Sequence, residues 1–213
     1  MNLSEKHRPA TLDDFLGNEG AIKRLRALPE WGGRSYFISG PAGVGKTSLS
    51  WIIANACCPP YAIEEMDAAD LSMDRLREME RSSRWSRPIG GQNHGFIINE
   101  AHSLSAMVVR RLLTTCDPKN TPFSVWIFTT TEKGQLRLFG ENIDAHPFLS
   151  RCVKLPLATA GLELEFCAAA KRIAQLEGLD GAPLAQYLSL VKSEHCNLRA
   201  VLQRIECGEM LTL

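Results

Sequence analysis

Gly40-Pro41-Ala42-Gly43-Val44-Gly45-Lys46-Thr47-Ser48 satisfies the pattern G-x-x-x-x-G-K-[ST] at every fixed position. The stretch before it, Ser35-Tyr36-Phe37-Ile38-Ser39, is aromatic and β-branched and reads as a short buried strand. The stretch after it, Leu49-Ser50-Trp51-Ile52-Ile53-Ala54-Asn55-Ala56, is mostly apolar, as a helix packed on a sheet requires. Strand, glycine loop and helix start is the arrangement that phosphate binding needs. Glycines let the backbone wrap closely round the phosphates, and the loop N–H groups and helix N-terminus point at negative charge. Lys46 supplies a point charge to the outer phosphates, and the Thr47 hydroxyl is placed to reach Mg²⁺. Such a segment binds a nucleoside triphosphate, which makes ATP or ADP with Mg²⁺ the expected cofactors.

A second nucleotide element lies downstream. Gly95-Phe96-Ile97-Ile98-Asn99-Glu100 is a buried strand ending in polar residues. In phosphate-loop enzymes such a strand delivers an acid to the Mg²⁺ shell, with a second acid beside it to activate water. Here the first position is Asn99, which can still orient a metal-bound water, and the second, Glu100, is intact. A carboxylate at the rim of a phosphate site can take a proton from water.

Around these two elements strands and helices alternate. Residues 18–29 read as an amphipathic helix with Ile22, Leu25 and Leu28 on one face. Residues 61–67 read as a second strand, and 70–82 as a helix with Leu71, Leu76 and Met79 inward. Its outer face carries Arg75, Arg77 and Arg81, with Arg84 and Arg87 beyond. That face is either simply solvated or a contact for phosphates or a neighbouring subunit. Residues 104–115 read as a helix, 124–131 as the clearest strand, 132–142 as a loop with a short helix, and 148–155 as carrying a last strand. The polar end Thr130-Thr131 falls where open α/β sheets place ligand-facing groups. This alternation predicts a three-layer α/β domain over residues 1–156 with a mainly parallel five-stranded sheet. Beyond Pro156 only helical patterns remain, at 161–176, 183–191 and 197–207, predicting a small all-helical lid over 157–213.

The 213 residues suit one ordinary domain plus a small second one. Formal net charge is zero, so any DNA contact must come from local patches or from assembly. No run is long and apolar enough for a bilayer span, and residues 1–8 lack a signal peptide's apolar core. A cytoplasmic chain is expected, nucleoid-associated, or nuclear in a eukaryote. The seven cysteines include no C-x-x-C pair, so they read as reduced core thiols and not as a zinc site.

The chain resembles the AAA+ ATPase subunits of DNA sliding-clamp loaders. The likeness rests on His7-Arg8-Pro9 with Thr11-Leu12-Asp13-Asp14-Phe15-Leu16-Gly17, similar to that family's N-terminal box. It rests also on Met66-Asp67-Ala68-Ala69-Asp70, on Ile97-Ile98-Asn99-Glu100-Ala101-His102-Ser103-Leu104, and on Leu149-Ser150-Arg151-Cys152. The resemblance implies that Arg8, Pro9, Leu16 and Gly17 surround the adenine, and that Thr131 positions the attacking water. It implies that Arg199, in Asn197-Leu198-Arg199, reaches the γ-phosphate from the lid. It makes Arg151 an arginine finger acting on ATP held by the next subunit. It implies partner AAA+ subunits in a ring or spiral, primer-template DNA gripped through backbone phosphates, and a sliding clamp. Two departures stand out. Asn99 replaces an aspartate, which predicts intact nucleotide binding with slow hydrolysis, or hydrolysis that depends on partners and DNA. No stretch reads as the family's helical collar, which predicts a shortened form or a short relative that assembles differently. The alternatives are a nucleotide-binding structural subunit with little catalysis, or another DNA-remodelling AAA+ ATPase.

Overall fold

The computed structural model describes residues 2–85, 88–89, 93–117, 119–131 and 146–211. The short helix expected within 132–142, and Arg87 of the basic run, lie outside the described residues. Five strands are present: β1 (Ser35–Ser39), β2 (Ile63–Asp67), β3 (His94–Asn99), β4 (Ser124–Thr130) and β5 (Cys152–Pro156). They form one sheet in the order β2-β3-β4-β1-β5, every neighbouring pair parallel. The helices are α1 (Leu3–Lys6), α2 (Glu19–Arg26), α3 (Lys46–Cys57), α4 (Met73–Trp85), α5 (Ala106–Thr115) and α6 (His146–Leu149), then α7 (Glu163–Leu176), α8 (Leu184–Ser193) and α9 (Leu198–Glu206).

Side chains alternate across the strands, and each face of the sheet has its own core. Tyr36, Ile38, Ile97, Val125 and Ile127 meet Ile22 and Leu25 of α2 and Ile53 of α3. Phe37, Phe96, Ile98, Trp126 and Phe128 meet Leu76 and Met79 of α4, Val108 and Leu112 of α5, and Phe148 of α6. Both faces are covered, so β4 is buried along its whole length. This is the three-layer α/β arrangement expected from the sequence. The strand read at 61–67 starts at Ile63, because Pro60–Ala62 winds into a 3₁₀ turn. The helix read from residue 70 starts at Met73, because a 3₁₀ turn occupies Ala68–Asp70.

Strand order fixes where a ligand can sit. The chain leaves β1, crosses through α3 and reaches β2 on the far side of β3 and β4; β5 then lies on the other side of β1. The crevice at the carboxyl end of β1 is therefore the topological switch point of the sheet. The phosphate loop occupies that end: Gly40 N–H donates to Thr130 O at 3.3 Å, and Leu157 N–H donates to Ser39 O at 2.7 Å.

A third core gathers α7, α8 and α9 around Phe166, Ile173, Tyr187, Val201, Leu202 and Ile205. The sequence presents residues 4–17 as a surface arm. In the structure its start is docked on these helices. Leu3 enters their core, with Leu16 packed alongside. Lys6 Nζ lies 2.7 Å from Glu177 Oε2, and His7 Nε2 lies 2.6 Å from Glu177 Oε1. The basic outer face of α4 is largely paired within the chain: Arg75 with Glu64 and Glu78, and Arg77 with Asp74. Six cysteines are buried and Cys207 is exposed.

Phe148 is fully buried and meets Phe37 and Phe128 edge-on, with ring centroids 6.3 and 4.9 Å away. Phe148→Ala is expected to cost about 3–5 kcal/mol of stability, read as a lower urea midpoint with an unchanged slope.

Candidate functional site

α3 begins at Lys46, so the first N–H groups of the helix have no intrahelical acceptor and open towards the loop. Gly43 sits in the left-handed region at φ 72°, and a Cβ there would fall 1.8 Å from Asn197 Oδ1 and 2.9 Å from Asn197 Cα. Only glycine permits both the turn and this approach of the N-terminus of α9. A Cβ at Gly40 would lie 2.5 Å from the Leu157 carbonyl oxygen, so the backbone after β5 presses on the loop as well.

Lys46 is buried, and its ammonium donates to the carbonyls of Gly40 at 3.0 Å and Pro41 at 2.8 Å. Burial pushes its pKa below that of an ordinary lysine; Glu100 pulls it back up and Arg199 pushes it down. A buried cation held by two carbonyl dipoles gains strongly when an anion binds beside it.

Opposite the loop stand the ends of β3 and β4. Glu100 is left-handed, at φ 52°, ψ 49°, which turns its side chain out of the strand line. Thr131 Oγ1 donates to Glu100 Oε2 at 3.2 Å, and His102 Nδ1 lies 3.4 Å from the same oxygen. Thr129 Oγ1 donates to Asn99 Oδ1 at 2.9 Å, and Asn99 Nδ2 donates to Glu65 Oε1 at 2.7 Å.

One cleft of about 610 Å³ joins these parts, a volume suited to a small-molecule ligand. Of the residues singled out in the sequence, Arg8, Pro9, Leu16, Ala42, Gly43, Val44, Gly45, Lys46, Thr47, Ser48, Asn99, Glu100, Thr131 and Arg199 line it. Gly40 and Pro41 stand behind Lys46 as its acceptors. Gly17 packs beneath Leu162. Neither these three nor Arg151 is among the described lining residues. Arg151 is exposed, donates to Pro147 O at 2.5 Å and immediately precedes β5, whose first residue pairs with the first residue of β1. It therefore stands at the amino edge of the sheet, roughly 15–20 Å of strand away from its own phosphate loop.

Sequence reasoning missed several lining residues. Glu65, Asp67 and Thr129 border the polar end, and Phe166, Ala169, Arg172, Ile173 and Leu202 form a wall from α7 and α9. The acids on β2 alternate with period two, a signal that only the strand order turns towards β3.

The donor set suits a magnesium nucleotide. Hard oxygen donors gather at Thr47, Asn99 and Glu100, while Lys46, Arg199 and the helix N-terminus supply positive potential for phosphates.

No protein-family model matches the chain. Replication factor C subunit 4 of Schizosaccharomyces pombe is 30% identical over 158 residues, covering 71% of this chain and 44% of that protein. The replication factor C small subunit of Natronomonas pharaonis is 30% identical over 191 residues, covering 83% and 53%. The chain is a homologue of the clamp-loader AAA+ ATPases. DNA polymerase III subunit gamma/tau of Mycobacterium tuberculosis is a further relative, 29% identical over 159 residues, covering 62% and 27%. Among solved structures, a mutant of Thermotoga maritima RuvB superposes with TM-score 0.70 at 21% identity, covering 94% of this chain and 65% of that one. That likeness concerns the fold alone. This clamp-loader homologue spans about half the length of the replication factor C relatives it matches.

Because Gly43 carries both a left-handed backbone and the contact with Asn197, Gly43→Ala is expected to destabilise the protein by about 1–3 kcal/mol. It should also weaken nucleotide binding; thermal melts with and without ATP check both effects.

Proposed function

We propose that this AAA+ chain binds ATP with Mg²⁺ in the 610 Å³ cleft and works as an ATPase subunit of a clamp-loader-like replication or repair assembly. Residues 1–156 form the nucleotide-binding core and 157–213 the lid. The observation that carries the reading is the split between two guanidinium groups. Arg199 faces the chain's own phosphate loop, while Arg151 is exposed at the opposite edge of the sheet, free to face a neighbour's.

Roles follow from position. The loop N–H groups and Lys46 hold the β- and γ-phosphates, and binding draws the ammonium away from the Gly40 and Pro41 carbonyls. Arg8, Pro9 and Leu16 border the base. Thr47 would reach the metal, with Asn99 at the edge of its water shell, and the metal, when bound, would neutralise phosphate charge. Glu100 accepts a proton from water that Thr131 orients, and the hydrogen bond between the two fixes their spacing. His102, beside Glu100 and 3.3 Å from Thr130 Oγ1, holds the carboxylate in place. Arg199 ties the lid to the γ-phosphate, so lid angle follows nucleotide state.

Arg151 completes the site of the next subunit in a ring or spiral, stabilising charge that builds on the transferring phosphoryl group. Primer-template DNA is held inside that spiral by its backbone phosphates, which makes binding steeply salt-dependent, and a sliding clamp is the assembly's cargo. Among the described residues no helix is long and apolar enough to cross a membrane. The expected location is the cytoplasm, at the nucleoid, or the nucleus of a eukaryote.

Asn99 favours a second reading, a nucleotide-binding subunit with little catalysis whose task is to present Arg151 to a partner. Single-turnover hydrolysis, alone and with DNA and partner subunits, separates the two.

Lys46→Ala should abolish ATP binding in equilibrium titrations. Arg151→Ala should bind ATP normally yet lose assembly-dependent hydrolysis by ~10³; unchanged hydrolysis would show the finger assignment to be wrong.

A further inference from the structure

The sequence puts an amide where the metal side of the site expects a carboxylate, and the structure shows where a replacement charge lies. Asn99 ends β3, and β2 runs beside it with Asp67 paired to Asn99 and Glu65 one step back on the same face. Asn99 Nδ2 donates to Glu65 Oε1 at 2.7 Å. That orientation is set by the carboxylate and is compatible with the hydroxyl on the other side. An ionised carboxylate only accepts, so the amide nitrogen must face Glu65, and the amide oxygen then faces the Thr129 hydroxyl at 2.9 Å. The other Glu65 oxygen accepts from Trp51 Nε1 at 2.8 Å. Trp51 and Thr47 are four residues apart on α3, so they share one face of the helix. The Glu65 carboxylate is thus held between two donors, and it lines the same cleft as Thr47, whose hydroxyl is placed to reach Mg²⁺. Two donors leave acceptor capacity on both oxygens for metal-bound water.

The geometry points to Glu65 as the carboxylate that holds the magnesium ion's outer water shell in this chain, taking over from β2 the charge that Asn99 does not supply. Asn99 is then the positioning residue, gripping Glu65 with its nitrogen while Thr129 fixes its oxygen. Mg²⁺ keeps several of its waters when it binds, so a carboxylate that reaches it through water is sufficient. Trp51 also gains a reason: its indole nitrogen is the second donor that locks the carboxylate. This inference rests on the reading of the cleft as a magnesium-nucleotide site.

The test is a Mg²⁺ titration of the affinity for a fluorescent ATP analogue, with a parallel measurement in EDTA. Glu65→Gln should raise the Mg²⁺ concentration needed for half-maximal tightening by about tenfold, the low end for loss of an outer-shell partner. Affinity in EDTA should stay within twofold of the parent protein. Asn99→Asp added to Glu65→Gln should restore the Mg²⁺ response by returning the charge to β3. An unchanged Mg²⁺ midpoint in Glu65→Gln overturns the assignment. So does an equal loss of affinity with and without Mg²⁺, which would make Glu65 a packing residue. Failure of the unsubstituted protein to bind the analogue at all would instead remove the nucleotide site beneath the assignment.

Discussion

A buried ammonium at the carboxyl end of β1 is the constraint on which the rest of the molecule depends. Lys46 is buried, its hydrogen-bond partners among the described residues are the carbonyls of Gly40 and Pro41, and burial already weakens its hold on its proton. Water would satisfy that charge at less cost. An anion bound beside it would complete the arrangement, and the rest of the fold aims at the same place. α3 starts there with unpaired N–H groups, the sheet reverses its winding there, and the lid brings Arg199 over it. Positive potential converges on one spot from the start of α3, with Lys46, and from Arg199 on a second packed unit, inside walls that strengthen it.

The unit of α7, α8 and α9 is joined to this site because it and the chain leading to it touch the loop twice. Asn197 lies against Gly43, and the chain that leaves β5 towards the lid presses on Gly40 through Leu157. The N-terminal arm adds a third connection. Leu3 enters the lid's core, and the Glu177 carboxylate takes up Lys6 and His7, one or two residues before Arg8 and Pro9 enter the cleft. The side of the cleft bordered by Arg8 and Pro9 is therefore tied to α7–α9, and the phosphate loop to the sheet. A ligand that bridges the two sides couples their relative position to its own chemical state, which is how a nucleotide drives a two-state machine.

Much of this was legible in the sequence because it is local. The phosphate loop, its strand and its helix are contiguous, and the β3 strand announces Glu100 by running apolar residues into an acid. Helix and strand periods placed all five strands and most helices within a few residues. What stayed hidden depends on which strands become neighbours. Glu65 is an ordinary strand-edge acid until β2 lies against β3. Thr129 looks like one more polar residue in a β-branched run until its hydroxyl meets Asn99. The N-terminal segment looks solvated because its apolar residues are few and scattered among polar ones, and the partners of Leu3 lie more than 150 positions away. The basic stripe on α4 is legible only in part. Sequence displays its arginines and the helix's own Asp74 and Glu78, but not Glu64, which meets Arg75 from β2.

The central claim, that an anion completes a cationic cradle at Lys46, is tested most directly by determining the structure with a non-hydrolysable ATP analogue and Mg²⁺. The account predicts triphosphate density along Gly43–Thr47, with the Lys46 ammonium turned from the Gly40 and Pro41 carbonyls onto the phosphates. An analogue bound elsewhere, or a lysine still tied to those two carbonyls beside a bound triphosphate, would contradict it.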